Sequence, residues 1–137
     1  MNTGVAKLND ELTQFNKEAE MLSNLSSIFG NLWFVYRHHI WLIWKSRRLI
    51  KIMRMIMSIC SELCENAACL EKFYPMIQTL RDNFVKMHTT SLKYKTLAPL
   101  RWSLKKTVDE WDDLAEDCAI SLDPEIRRLM FKIADAL

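Results

Sequence analysis

The sequence predicts an all-α protein, a bundle of four to five helices with one long second helix, and three observations lead there. Apolar residues recur at three- and four-residue steps through nearly the whole chain, runs alternating with period two are missing, and only two glycines and three prolines interrupt 137 residues. Half of the residues are apolar and about a quarter are charged, the balance of a packed domain rather than a disordered chain. A chain of this length buries roughly two thirds of its unfolded surface, enough for a core without disulfides or metal. Nothing reads as a linker, so residues 1–137 are expected to form a single helical domain.

The first helix follows from Val5, Leu8, Leu12, Phe15, Ala19, Leu22 and Phe29, which share one stripe while Lys7, Asp10, Glu11, Lys17, Glu18 and Glu20 lie elsewhere on the wheel. Thr3 or Asn2 can cap its start, and Gly30-Asn31 is its stop. From Asn31 to about Leu70 no proline or glycine occurs, and Val35, Leu42, Leu49, Ile56, Leu63 and Leu70 fall at intervals of seven. From Leu49 onward Ile52, Met53, Ile59, Cys60 and Ala67 fill the companion positions, whereas before it stand the polar His38, His39, Lys45 and Ser46. The expectation is one helix of ~60 Å, with 45–48 as the place where it would kink or divide in two.

Pro75 is expected to open a third helix, with Met76, Ile77, Leu80, Phe84, then Met87 or His88, and Ser91 or Leu92, on its apolar face. Thr89-Thr90-Ser91 would fray its end, because short hydroxyl side chains compete for backbone hydrogen bonds. After Pro99, the stripe Leu100, Leu104, Val108, Trp111, Ala115 and Cys118 marks a fourth helix. Asp123 at the N-cap and Pro124 at the first helical position start a short last one, with Ile126, Leu129, Met130 and Ile133 facing inward. Stripes of this kind need mutual cover, which a bundle supplies.

Net charge is only +2, but its distribution is uneven. No acidic residue occurs between Glu20 and Glu62, where Arg37, Lys45, Arg47, Arg48, Lys51 and Arg54 fall. Residues 81–106 carry seven bases against Asp82 alone, and residues 107–125 carry eight acids and no base. Such segregation points to complementary surfaces within the fold or between chains. On the second helix, Arg47, Lys51 and Arg54, with Arg48 adjacent, form a basic face suited to phosphate, to a partner, or to the chain's own acidic segment. Asp109, Asp113 and Glu116 share the opposing acidic face. They are read as a partner surface, not a metal site, because bundle metal sites draw Glu-x-x-His pairs from several helices and none occurs here.

Other chemical candidates read as structural. Cys60 and Cys64 share a helix face, Cys69 lies well round from it, and no histidine is near enough to complete a zinc site, so no metal is expected. With Cys118 these thiols form no disulfide framework, and the N-terminus shows no secretory signal, which implies a cytoplasmic protein. His38 and His39 point about 100° apart on a helix and cannot chelate one ion together. Trp33, Trp41 and Trp44 follow an uncharged stretch, as in a membrane-interface belt. That stretch is rich in Ser and Asn, and Arg37 ends it before the roughly 20 residues a span needs. Packing in the core or in an oligomer is the favoured role for these tryptophans, and a helix lying on a membrane surface the lesser one.

Arg81 and His88, with six residues between them in RDNFVKMH, form a pattern that resembles the loose Arg-x4–6-His signature of the HEPN family of small all-helical ribonucleases. The resemblance covers eight residues. It implies His88 in acid–base work on an RNA phosphodiester and Arg81 holding phosphate. The aromatic residue usual shortly after the His is absent, Thr89 and Thr90 standing there. A histidine lining a helix interface is the plain alternative. With no phosphate-cradling glycine loop and no cofactor motif, the leading expectation is a non-enzymatic interaction or adaptor protein, self-associating or bound to another protein. A nucleic-acid-binding or RNA-cleaving domain stands second and a peripheral membrane protein third. No small-molecule substrate is evident.

Overall fold

In a computed structural model, the described backbone covers residues 2–63 and 67–136, and described side chains cover 6–58, 70–126, 128–129, 132–133 and 135–136. The helices are α1 (Asn2–Phe29), α2 (Trp33–Leu63), α3 (Ala67–Ser91), α4 (Arg101–Leu122) and α5 (Pro124–Ala136), with a 3-10 turn at Lys95–Leu100. No strand occurs among the described residues, so the all-helical bundle expected from the apolar periodicity is the fold.

Helix α1 packs against α2 and α3, and α4 also packs against α2 and α3, while α5 rests on α4. Hydrogen bonds set the directions. Asn16 reaches Met76 and Ser23 reaches Asn83, so α1 and α3 run parallel. Ser46 meets Trp111 and Arg54 meets Asp117, so α2 and α4 also run parallel. Ser26 with His39 and Glu11 with Arg48 make α1 and α2 antiparallel. Cys118 with Leu70 and Arg81 with Asp112 do the same for α3 and α4. The chain thus goes up, down, up, down, yet like-directed helices stand side by side, and α2 and α3 stand diagonally across the bundle.

The buried stripes of α1 through α4 close one core. Phe15 lies between Phe84 and Trp111, with ring centroids 6.3 and 6.4 Å away, within the range of favourable tilted pairs. The Trp111 indole N–H donates to Ser46 Oγ at 3.2 Å, which satisfies the one polar atom the ring brings inside.

The α1–α2 turn, the end of α3, the 3-10 turn and the start of α4 gather at one end. The Tyr94 hydroxyl donates to Ser27 O (3.2 Å) and Thr96 Oγ1 to Asn31 O (3.4 Å). Arg101 donates to Ser91 O (2.8 Å) and Leu92 O (3.4 Å), taking carbonyls that the end of α3 leaves open.

Several sequence expectations need correction. Helix α2 is unbroken through 45–48 but ends at Leu63, and Leu70 is buried as part of α3. Pro75 does not open α3; it lies two turns inside. Its ring forfeits one backbone bond, but Phe73 and Ile77 on either side are fully buried and hold the helix to its neighbours. His39 and Ser46, polar as they are, sit fully inside the seam, because Val35 O, Ser26 Oγ and the Trp111 N–H satisfy them. Phe29, Leu129 and Ile133 are exposed instead of inward: Phe29 ends α1, and α5 packs chiefly on α4. The Thr3/Asn2 cap and the Val5, Ile59, Leu63, Ala67 and Met130 core positions lie outside the described side chains. Asp123 Oδ1 does accept from the Glu125 and Ile126 amides (2.9 and 3.3 Å), as an N-cap should.

Candidate functional site

Helix α2 carries large apolar side chains on two sides, one of them shared with bases. Inward it buries Val35, Leu42, Leu49 and Met53. Outward, again at steps of three and four, stand Phe34, Arg37, Trp41, Trp44, Arg48, Lys51 and Met55, all exposed. Trp44 is 69% and Trp41 49% exposed, so these rings are not core of this chain, and the expectation that placed them there fails in that form. At about 100° per residue, Trp41 and Trp44 fall well round the helix from Val35, Leu42, Leu49 and Met53, so the phase of the helix turns them outward. Lys45 Nζ lies 4.6 Å from the Trp41 ring centroid and 3.9 Å from Glu18 Oε2. Between α1 and α2 a cleft of about 730 Å³ opens, lined by Met21, Leu25, Phe34, Arg37, His38 and Trp41 among others.

The predicted basic and acidic residues come out on neighbouring helices. Arg54 Nη1 pairs with Asp117 Oδ2 at 2.6 Å, and Arg48 with Glu11 of α1 at 3.8 Å. Arg47 and Lys51 are exposed and have no ion pair among the described residues. On α4, Lys105 takes Asp109 at 3.1 Å and Arg81 takes Asp112 at 3.2 Å. Asp113 and Glu116 stay exposed, with no ion pair among the described residues. Because Ser46 is level with Trp111 and Arg54 with Asp117, the open bases Arg47 and Lys51 stand at about the height of the open acids Asp113 and Glu116. A basic strip and an acidic strip thus run side by side along one side of the bundle.

Arg81 and His88 both lie on α3, two turns or ~10 Å apart along its axis. The Arg81 guanidinium is engaged by Asp82 (3.0 Å) and Asp112 (3.2 Å), whose hydrogen bonds, Asp82 first, raise its pKa and occupy its donors. His88 is half-buried, and among the described residues no hydrogen bond joins it to Arg81, whose bonds go to Asp82 and Asp112. Elsewhere, burial pushes the Cys118 thiol up to about 11, which keeps it protonated and unreactive. Burial also lowers the pKa of His39, more than its bond to Val35 O raises it, with His38 adding to the lowering. Among the described residues no three His, Cys, Asp or Glu side chains gather to hold a metal ion, and no helix is long and apolar enough to cross a membrane. Cys60, Cys64 and Cys69 lie outside the described side chains.

Two features escaped the sequence reading. One is a buried polar layer, Ser23, Ser26, His39, Asn83, Thr90 and Ser91, whose members are scattered over three helices. The other is a set of exposed apolar side chains where the four helix ends meet, including Trp102, which no stripe had singled out. The charge pattern carried a signal for the second, since 21–61 and 83–108 both lack acidic residues, but only the topology joins those stretches. No protein-family model, no curated protein and no solved structure matches this chain.

Proposed function

We propose that the chain is a non-enzymatic interaction protein that works by pairing the α2–α4 side of its bundle with the same side of a second copy, in the cytoplasm, where its thiols stay reduced. The observation that carries this reading is the pair of adjacent, oppositely charged, parallel strips at matched heights. A twofold axis parallel to the helices lays α2 of one copy over α4 of the other without changing height. Arg47 and Lys51 then oppose Asp113 and Glu116 twice over, in a self-complementary contact. Trp44, with Met55 on the same face, supplies the large side chains that dominate binding energy in such contacts. Helix α4 has 22 residues, about 33 Å, and two helices are about 20 Å wide. That side is close to the roughly 800 Å² per copy that a stable pair buries.

The test is a charge exchange. Light scattering and sedimentation of the native chain should report a dimer in the micromolar range. Lys51→Glu or Asp113→Lys alone should each weaken it about tenfold, and the two together should restore it. A native chain that stays monomeric at these concentrations, or a double variant no better than the singles, refutes the pairing.

A further inference from the structure

At the end of the bundle where α1 meets α2 and α3 meets α4, apolar side chains stand in solvent. Trp33 is 63% exposed and Trp102 71%, and Ile28, Phe29, Leu32 and Leu92 are exposed around them. Helices α2 and α4 both begin here, and side chains lean toward the start of their helix, so Trp33 and Trp102 lean outward past the bundle's end. Tyr94 and Thr96 tie the 92–97 segment to the α1–α2 turn, which makes this one continuous surface. Around it Arg37, Lys93, Lys95 and Lys106 are all exposed. The segments that build this end lie within 21–61 and 83–108, which contain no aspartate or glutamate.

We infer that this end of the molecule docks on the headgroup region of an anionic lipid bilayer. Three features fit that occupant. Tryptophan is the residue that settles at headgroup depth, with its ring in the acyl boundary and its N–H in the wet layer. Aliphatic chains beside it gain by leaving water for the same boundary. A ring of lysine and arginine free of acids is what a negatively charged leaflet attracts. Because no described helix can cross a bilayer, the contact is one of shallow insertion. Single-stranded nucleic acid, which also seeks basic and aromatic surfaces, uses open ring faces for stacking. Here one face of Trp33 is stacked on Tyr36, centroids 4.8 Å apart, and Lys106 Nζ sits over Trp102 at 5.2 Å. Ile28, Leu32 and Leu92 offer a base nothing to stack on.

The experiment is vesicle flotation of the full chain with phosphatidylcholine alone and with phosphatidylcholine containing phosphatidylserine. The chain should float with the serine-containing vesicles, lose that binding as salt is raised, and stay behind with the neutral ones. Lys93→Ala with Lys95→Ala should weaken partitioning about fivefold per lysine, and Trp33→Ala with Trp102→Ala by about tenfold or more. All four side chains are exposed, so far-ultraviolet dichroism should show full helicity, and light scattering should show any dimer unchanged. Equal flotation with neutral vesicles overturns the inference. So does binding that survives both double variants but is lost in Trp41→Ala with Trp44→Ala, or retention on a single-stranded oligonucleotide with no flotation.

Discussion

Gly30 looks in the sequence like an ordinary helix stop, and the structure assigns it a different task whose cost can be worked out. Its backbone is not in the left-handed region, so conformation does not demand glycine there. Space does: a Cβ at this position would lie 2.6 Å from both Cγ and Cε2 of Tyr94, a ring that cannot swing clear without losing its hydroxyl bond to Ser27 O. Forcing a methyl group into such a contact costs about 1–3 kcal/mol, and losing the hydroxyl bond about 1 more. Against this, alanine restricts the unfolded chain and stabilises by about 0.4–1 kcal/mol where it fits. Gly30→Ala is therefore expected to destabilise by about 1–3 kcal/mol, where a glycine at ordinary φ with open space around it would show the opposite sign. Urea unfolding followed by far-ultraviolet dichroism measures the difference. In a Tyr94→Ala background the clash is gone, and the same substitution should become neutral or stabilising. A Gly30→Ala protein as stable as the native one, or an equal cost in both backgrounds, would refute the reasoning.

Two further predictions concern buried polar groups. Ser46→Ala strands the indole N–H of Trp111, a fully buried residue, and should lower stability by about 1–3 kcal/mol; an unchanged urea midpoint would mean that another acceptor replaces the hydroxyl. His39 is fully buried, and its pKa is held below 6.5 chiefly by burial. As pH falls, the unfolded chain binds this proton before the folded one does, so stability should decline from about pH 6.5 downward. Urea midpoints should drop more steeply with acid in the native chain than in His39→Gln, and parallel profiles would show that another group carries the dependence.

What was legible in the chain was whatever depends on neighbours in sequence. Asp123 and Pro124 announce the start of α5 because a cap is made within three residues, and Leu8, Leu12, Phe15 and Ala19 announce a buried face because a helix repeats every 3.6 residues. The misreadings share a cause as well. Pro75 was read by its local rule, yet helix ends depend on what packs around them, and Phe73 and Ile77 hold the helix together across it. His39 and Ser46 looked like poor seam residues because their partners, Ser26 and Trp111, are 13 and 65 positions away. Among the site residues, the periodicity put Arg47, Lys51 and Arg54 on one face, but the pairing of Arg54 with Asp117 spans 63 positions. No spacing rule shows that these two strips are neighbours. Trp33 and Trp102 are further apart still, and their common end emerges only once α2 and α4, which begin at or beside them, are seen to run parallel.

The two proposed surfaces constrain one another. A twofold axis parallel to the helices leaves both copies pointing the same way, so the two ends bearing Trp33 and Trp102 would face one membrane plane. An axis across the helices would turn them to opposite sides and set α2 over α2, base against base. The charge layout therefore selects the arrangement in which both ends reach the bilayer at once, and the second contact becomes intramolecular, with affinity gained from effective concentration alone. It follows that Lys51→Glu, which touches nothing at the bundle's end, should weaken vesicle flotation by about tenfold or more, and Asp113→Lys added to it should recover the loss. If flotation is the same in dimer and monomer, the end of the bundle binds lipid one copy at a time and the coupling between the two surfaces is wrong, even where each surface separately passes its own test.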